Sequence, residues 1–229
     1  MGRITGRRHD MGSFTRSEKT LMIVFFVLSL LYISLIPVLK AVPGLYVLKD
    51  LPDITLAVLA LTAIAGTRGK MLFAAYLLCA LAGLALDLPI EDSFVLGLLL
   101  FLLGHLGYIA TFLLDFQWRP RKLWIIALIL IYTAGMAVLF APFLGDLQAP
   151  VYCYMAVLSM MCIIATQRRS DNNFVIYGAL LFLASDSVLA SNKFISPMAG
   201  QDYIVMFTYY AAQFFILYGF LKDKYRKSA

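Results

Sequence analysis

The chain has 229 residues, of which 62% are hydrophobic and 14% charged, with a net charge of +6 and a mean hydropathy of +0.86. Those values lie far outside the range of soluble globular domains and make lipid the solvent for most of the chain. They also exclude a nucleic-acid-binding reading of the positive charge, because the basic residues fall between apolar stretches and match the charge bias of membrane loops.

The first twenty residues are basic and polar. The apolar run that follows is too long for the core of a signal peptide and lacks a small-residue cleavage site, which predicts an uncleaved first helix. In chain order, weakly charged stretches then run 21–39, 51–65, 71–86, 93–114, 123–144, 149–167, 174–190 and 203–221. The second is short and is expected to start earlier, near Val47. Each is roughly 15 to 22 residues, or about 22 to 33 Å as a helix, matching a hydrocarbon core of about 30 Å. The expected fold is an all-α polytopic bundle of about eight transmembrane helices, a single domain over 21–221, with a basic tail at 1–20 and another at 222–229.

With eight crossings and both termini cytoplasmic, every basic residue except Lys40, Lys49 and Lys193 falls on the inner side, as the distribution of Lys and Arg in short loops requires. Cys79, Cys153 and Cys162 sit within spans at unrelated spacings and read as packing residues. His9 in the tail and His105 in the fourth span are the only histidines, too few for a histidine-built zinc site. P-loop, GxGxxG, GxSxG and HExxH patterns are all missing, so chemistry inside the membrane would have to rest on carboxylates, without a metal or other cofactor.

Two aspartates fall in apolar stretches, where a carboxylate costs about 2.5 to 3.5 kcal/mol and therefore faces a cavity or a partner. Asp87 ends the third span, about 24 Å from its inner end, and Asp186 lies about 18 Å along the seventh. In the same outer half fall Lys49, Asp50 and Asp53 at the outer start of the second helix, and Asn192 and Lys193 at the outer end of the seventh. Asp186 and Lys193 are seven apart on one helical face, Lys49 and Asp53 four apart, and Asp202, Tyr209 and Gln213 align along the last helix. His105, with Tyr108 one turn away, lies at the middle of the fourth span beside Gly104 and Gly107 and reads first as a packed residue. Together these groups outline a pocket open to the outer leaflet, with carboxylates at depth and lysines at the rim, suited to an amphiphile with an anionic head. A faint echo between Ala80–Ile90 and Ala179–Leu189 aligns the two aspartates and suggests a parallel repeat of four helices.

The stretch GALLFLASDSVLASNKF (Gly178–Phe194), followed by TYYAAQ (Thr208–Gln213), resembles the C-terminal signature of the YhhN and TMEM86-like lysoplasmalogenase family. FVLGLLLFLLGHLGYIATF (Phe94–Phe112) resembles that family's Gly-containing helix with its His and Tyr, and LKDLPD (Leu48–Asp53) its Lys-Pro lead into the second helix. Where the family usually has Gly-Asp at the end of the third helix this chain has Leu86 and Asp87, and its Lys-Pro is split here into Lys49, Asp50, Leu51, Pro52.

The resemblance implies hydrolysis of the vinyl-ether bond of lysoplasmalogens to a fatty aldehyde and a glycerophospho-base. That chemistry needs one carboxylic acid to protonate the β-carbon and one carboxylate to stabilise the resulting oxocarbenium-like cation and activate water, as in glycosidic cleavage. Asp87 and Asp186 are expected to share these roles. Tyr108, Tyr209, Gln213 and His105 are expected as water-orienting or supporting groups, Asp53 and Asn192 as substrate-side neighbours, and Lys49 and Lys193 as phosphate contacts. The implied partners are a lysophospholipid and the bilayer, and short loops point to a bacterial inner (cytoplasmic) membrane. A lipid or small-solute transporter, and an assembly protein whose polar residues only join helices, fit the same residues.

Overall fold

A computed structural model describes residues 14–42 and 45–227. The expected N-terminal tail up to residue 13, with Arg3, Arg7, Arg8 and His9, lies outside the described residues.

Among the described residues, eight α-helices carry the fold: α1 (Arg16–Ala41), α2 (Leu51–Ala63), α3 (Gly66–Leu86), α4 (Ser93–Leu113), α5 (Leu123–Phe140), α6 (Gln148–Thr166), α7 (Phe174–Phe194) and α8 (Gln201–Lys227). All but α2 are long and apolar enough, with their flanking turns, to cross a membrane. The chain is a multi-pass membrane protein. α2 has 13 residues and is preceded by a six-residue 3-10 turn, Leu45–Asp50. End to end the two would rise about 31 Å, the length expected of the second span, but in two pieces of different helix type. The last helix runs through Lys227, and the expected C-terminal tail is helical up to that residue.

Local chemistry sets the ends. Thr15 and Glu18 form a reciprocal capping box, with Glu18 N–H donating to Thr15 Oγ1 (3.2 Å) and Thr15 N–H to Glu18 Oε2 (2.8 Å). Pro52 occupies the first turn of α2, where its missing N–H costs nothing. The α7–α8 turn contains Pro197 and closes at Gly200, whose φ of +74° suits a residue without a side chain.

Side chains facing outward are apolar, Val138, Ile131 and Phe207 being among the most exposed, as expected when the surroundings are hydrocarbon. α5 is the least buried of the seven long spans. It leans on α6 and barely touches α7, whereas α3 packs closely on α4 and α7 on α8.

One end of the bundle is closed by a polar knot. Arg168, 2% exposed, is bound by Asp115 (3.2 Å) and Asp223 (3.1 Å), and Asp115 also binds Arg68 (2.8 Å). Burial pulls the Arg168 guanidinium below its ordinary pKa, and the two carboxylates oppose that effect. The α4–α5 and α6–α7 loops meet there through an isolated antiparallel bridge between Phe116 and Arg168. Glu18 joins α1 to Lys224 at 2.8 Å.

Candidate functional site

Away from that knot, the 3-10 turn, the end of α3, the last turns of α7 and the first turns of α8 surround a chamber of about 290 Å³. Six of the expected site residues line it: Lys49, Asp87, Asp186, Asn192, Lys193 and Tyr209. Asp53, His105, Tyr108 and Gln213 stand behind its walls, all buried.

Lys49, the next-to-last residue of the 3-10 turn, is nearly buried, and its Nζ forms an ion pair with Asp87. Asp87 lies just past the end of α3, as its C-cap, with its side chain 37% exposed. An acidic residue at a helix C-terminus opposes the helix dipole, and Lys49 offsets that cost. The lysine expected to meet a phosphate and the aspartate expected to do chemistry are thus bound to each other. The approach depends on Gly83, because a Cβ there would run into the Asp50 carboxylate and lie 3.4 Å from Lys49 Cε. Tyr210 anchors the same turn by donating to the Lys49 carbonyl at 2.7 Å.

Asp53, one turn further on, has no exposed surface. Its Oδ2 accepts from Tyr209 at 2.6 Å, and Tyr209 in turn accepts from Gln213 Nε2 at 3.0 Å. Tyr108 donates to Gln213 Oε1 at 2.6 Å and Tyr76 to the Gln213 carbonyl at 2.8 Å. A buried relay therefore crosses α3, α4, α8 and α2, and Tyr209 is its one side chain that also lines the chamber. Asp53 Oδ1 has no partner among the described residues.

Asp186 sits within α7 and accepts a hydrogen bond from the Tyr154 hydroxyl of α6. It belongs to the chamber and also to a second, narrow apolar slot of about 60 Å³ between α4, α5, α6 and α7. Leu86, Phe94 and Phe101 are shared by the two spaces as well. His105 is part of the aromatic wall, its ring centroid 4.6 Å from Phe182 and 5.3 Å from Tyr154, and neither ring nitrogen has a partner among the described residues. Lys193 Nζ lies 5.1 Å from the Phe94 ring centroid, and Asn192 Oδ1 accepts from Met198 N–H at 2.8 Å, closing the α7–α8 turn.

The aligned aspartates of the internal echo differ in setting: Asp87 caps a helix and Asp186 lies inside one, yet both face one chamber. Sequence reasoning missed Tyr154 and Tyr76 and gave Asp50 no role. Thirteen tyrosines are scattered along the chain, and only contact with a carboxylate or amide distinguishes these two. Cys79 and Cys162 are buried as expected of packing residues, whereas Cys153 is exposed. Among the described residues, no three His, Cys, Asp or Glu side chains come together as a metal site.

The YhhN family model matches residues 44–220. The chain is 34% identical over 161 residues to a protein of Mycobacterium tuberculosis named lysoplasmalogenase, covering 68% of this chain and 62% of that relative. It is 31% identical over 168 residues to lysoplasmalogenase TMEM86B of Sus scrofa, covering 73% and 71% of the two chains. The chain therefore spans less than two thirds of the length of its mycobacterial relative. No solved structure matches it. The family match covers the 3-10 turn, every chamber-lining helix except α1, and the relay behind the chamber: the chain belongs to the YhhN family.

Proposed function

We propose that the protein hydrolyses the vinyl-ether bond of lysoplasmalogens, taking choline or ethanolamine glycerophospho-alkenyl lipids to a fatty aldehyde and a glycerophospho-base. The observation that carries the reading is the position of Asp186 where a charged chamber meets an apolar slot. The vinyl ether of such a lipid is the junction of its polar head and its hydrocarbon chain, so a head in the chamber and a chain in the slot place the scissile bond beside this carboxyl. The names of the relatives agree with this chemistry.

Asp186 is the acid. Its proton goes to the β-carbon of the alkenyl group, and the electrons of the double bond form the new C–H bond, leaving an oxocarbenium cation across the α-carbon and the ether oxygen. Asp87, ion-paired with Lys49, faces the cation and takes a proton from the attacking water. The hemiacetal then collapses: its hydroxyl proton leaves, the α-carbon becomes the aldehyde carbon, and the ether oxygen departs with a proton as the glycerol hydroxyl. Tyr154 holds Oδ2 of Asp186 and leaves Oδ1 for the proton, while Tyr209 orients water from the relay. Lys193, free of an ion pair with any described carboxylate, is the phosphate contact, and Lys49 is shared between phosphate and Asp87.

The charge distribution supports a topology with both ends and the Arg68–Asp115–Arg168 knot in the cytoplasm and the chamber on the opposite face of a bacterial cytoplasmic membrane. The test is aldehyde release from a lysoplasmalogen by purified protein in detergent, with Asp186→Asn and Asp87→Asn in parallel. Wild-type turnover with folded, inactive variants is the expected result. An active Asp186→Asn protein overturns the assignment of the acid, and no aldehyde from folded wild type with either headgroup overturns the reaction.

A further inference from the structure

The apolar slot borders a further space on the flank of the bundle. Tyr132 of α5 and Leu183 of α7 line it, and the same two residues line a larger groove of about 880 Å³ on the flank between these helices. Chamber, slot and groove thus lie in series, adjoining at Asp186, Leu86, Phe94 and Phe101 and then at Tyr132 and Leu183. The groove is apolar along Leu128, Ile129, Ile176 and Leu180 and ends at Lys122, whose Nζ lies 3.2 Å from Asn173 Oδ1. From Lys122 to Tyr132 it descends about 15 Å of helix. It exists because α5 rests on α6 and barely touches α7, leaving Trp124 and Leu128 exposed where the bilayer interior would lie.

We propose that this groove holds the distal part of the substrate's hydrocarbon chain and is the lateral passage by which the fatty aldehyde returns to the bilayer. The inference rests on the lysophospholipid reading above for its occupant. The order of the three spaces matches the order of the parts of such a lipid, from charged head through the reacting bond to the chain. A slot of about 60 Å³ selects one chain over two. The two products are thereby sorted by solubility. The glycerophospho-base leaves from the chamber to water, and the aldehyde, with no charged group, leaves between α5 and α7 to lipid.

A saturated 1-O-alkyl lysophosphatidylcholine lacks the vinyl group and cannot be turned over, so it reports binding whether or not hydrolysis is the reaction. With a diazirine at the chain terminus, photolysis in nanodiscs should label α5 and α7 around Leu128, Ile176 and Leu180. Excess unlabelled long-chain lysolipid should abolish the label, and diacyl phosphatidylcholine should not. In a parallel assay, Leu180→Trp should lower the ratio of long-chain to short-chain kcat/KM about tenfold, the effect of expelling one to two methylenes from apolar contact. Label spread over the other lipid-facing helices, competition by diacyl lipid as strong as by lysolipid, or an unchanged chain-length ratio in a folded Leu180→Trp protein would each overturn the passage. Specific labelling of the groove without aldehyde release would sink the hydrolytic reading and leave the binding site standing; aldehyde release without labelling would do the reverse.

Discussion

Tyr209 and Asp53, 156 positions apart in the chain, are joined by a 2.6 Å hydrogen bond that ties α8 to the first turn of α2. The carboxylate has no exposed surface and its other oxygen has no partner among the described residues, so the tyrosine is its principal support. Tyr209→Phe removes that donor and also leaves Gln213 Nε2 without its acceptor. We expect a loss of about 1 to 2 kcal/mol, the upper part of the range for hydrogen bonds inside membranes. Thermal unfolding in detergent measures it, and an unchanged midpoint would show that water replaces the hydroxyl.

Tyr154→Phe takes the hydrogen bond from Asp186 without changing the shape of the slot. If Asp186 is the acid, kcat should fall about 10- to 100-fold, the worth of one hydrogen bond to a carboxyl group, with KM little altered. Tyr152, two residues away on the same helix, donates instead to the Ala137 carbonyl, so Tyr152→Phe serves as a control with near wild-type kcat.

At Gly178, α7 packs tightly on α8. A Cβ there would stand 2.7 Å from both the Ala212 carbonyl oxygen and Ile216 Cγ1, and 2.8 Å from the Ile216 nitrogen. Two of these three atoms are backbone, so relief requires the helices to separate. Gly178→Ala should cost about 1 to 3 kcal/mol and lower the detergent unfolding temperature. Gly135 has no atom within 4 Å of such a Cβ, and Gly135→Ala should leave the midpoint unchanged or raise it.

Arg168 is held by two carboxylates, so removing one leaves the guanidinium still paired. Asp115→Ala or Asp223→Ala alone should cost less than the roughly 3 to 5 kcal/mol of an orphaned buried charge, and the double variant should reach it. A double-mutant cycle on unfolding free energies would reveal this as strong non-additivity. Strict additivity would mean that the two carboxylates do not share the arginine.

Much of this molecule is settled by costs that act residue by residue. The expense of leaving a backbone amide unpaired in hydrocarbon forces helices, and the length of each apolar run fixes where they lie. For that reason the eight helices were legible in the sequence, and Asp87 and Asp186 stood out from their apolar surroundings. The distribution of basic residues among the loops gave each helix its direction, and with helical spacing it predicted that Lys49, Asn192, Lys193 and Tyr209 would share one end of the bundle; all four line one chamber. Partner choice is a different quantity. Whether Lys49 reaches a phosphate or Asp87, and whether Asp186 meets His105 or Tyr154, depends on how each helix is rotated and how closely it packs, set by residues such as Gly83 and Gly178 on elements distant in sequence. The junction of chamber, slot and groove belongs to the same category. It arises because α5 stands away from α7, a balance of packing among four helices that no single stretch of the chain encodes.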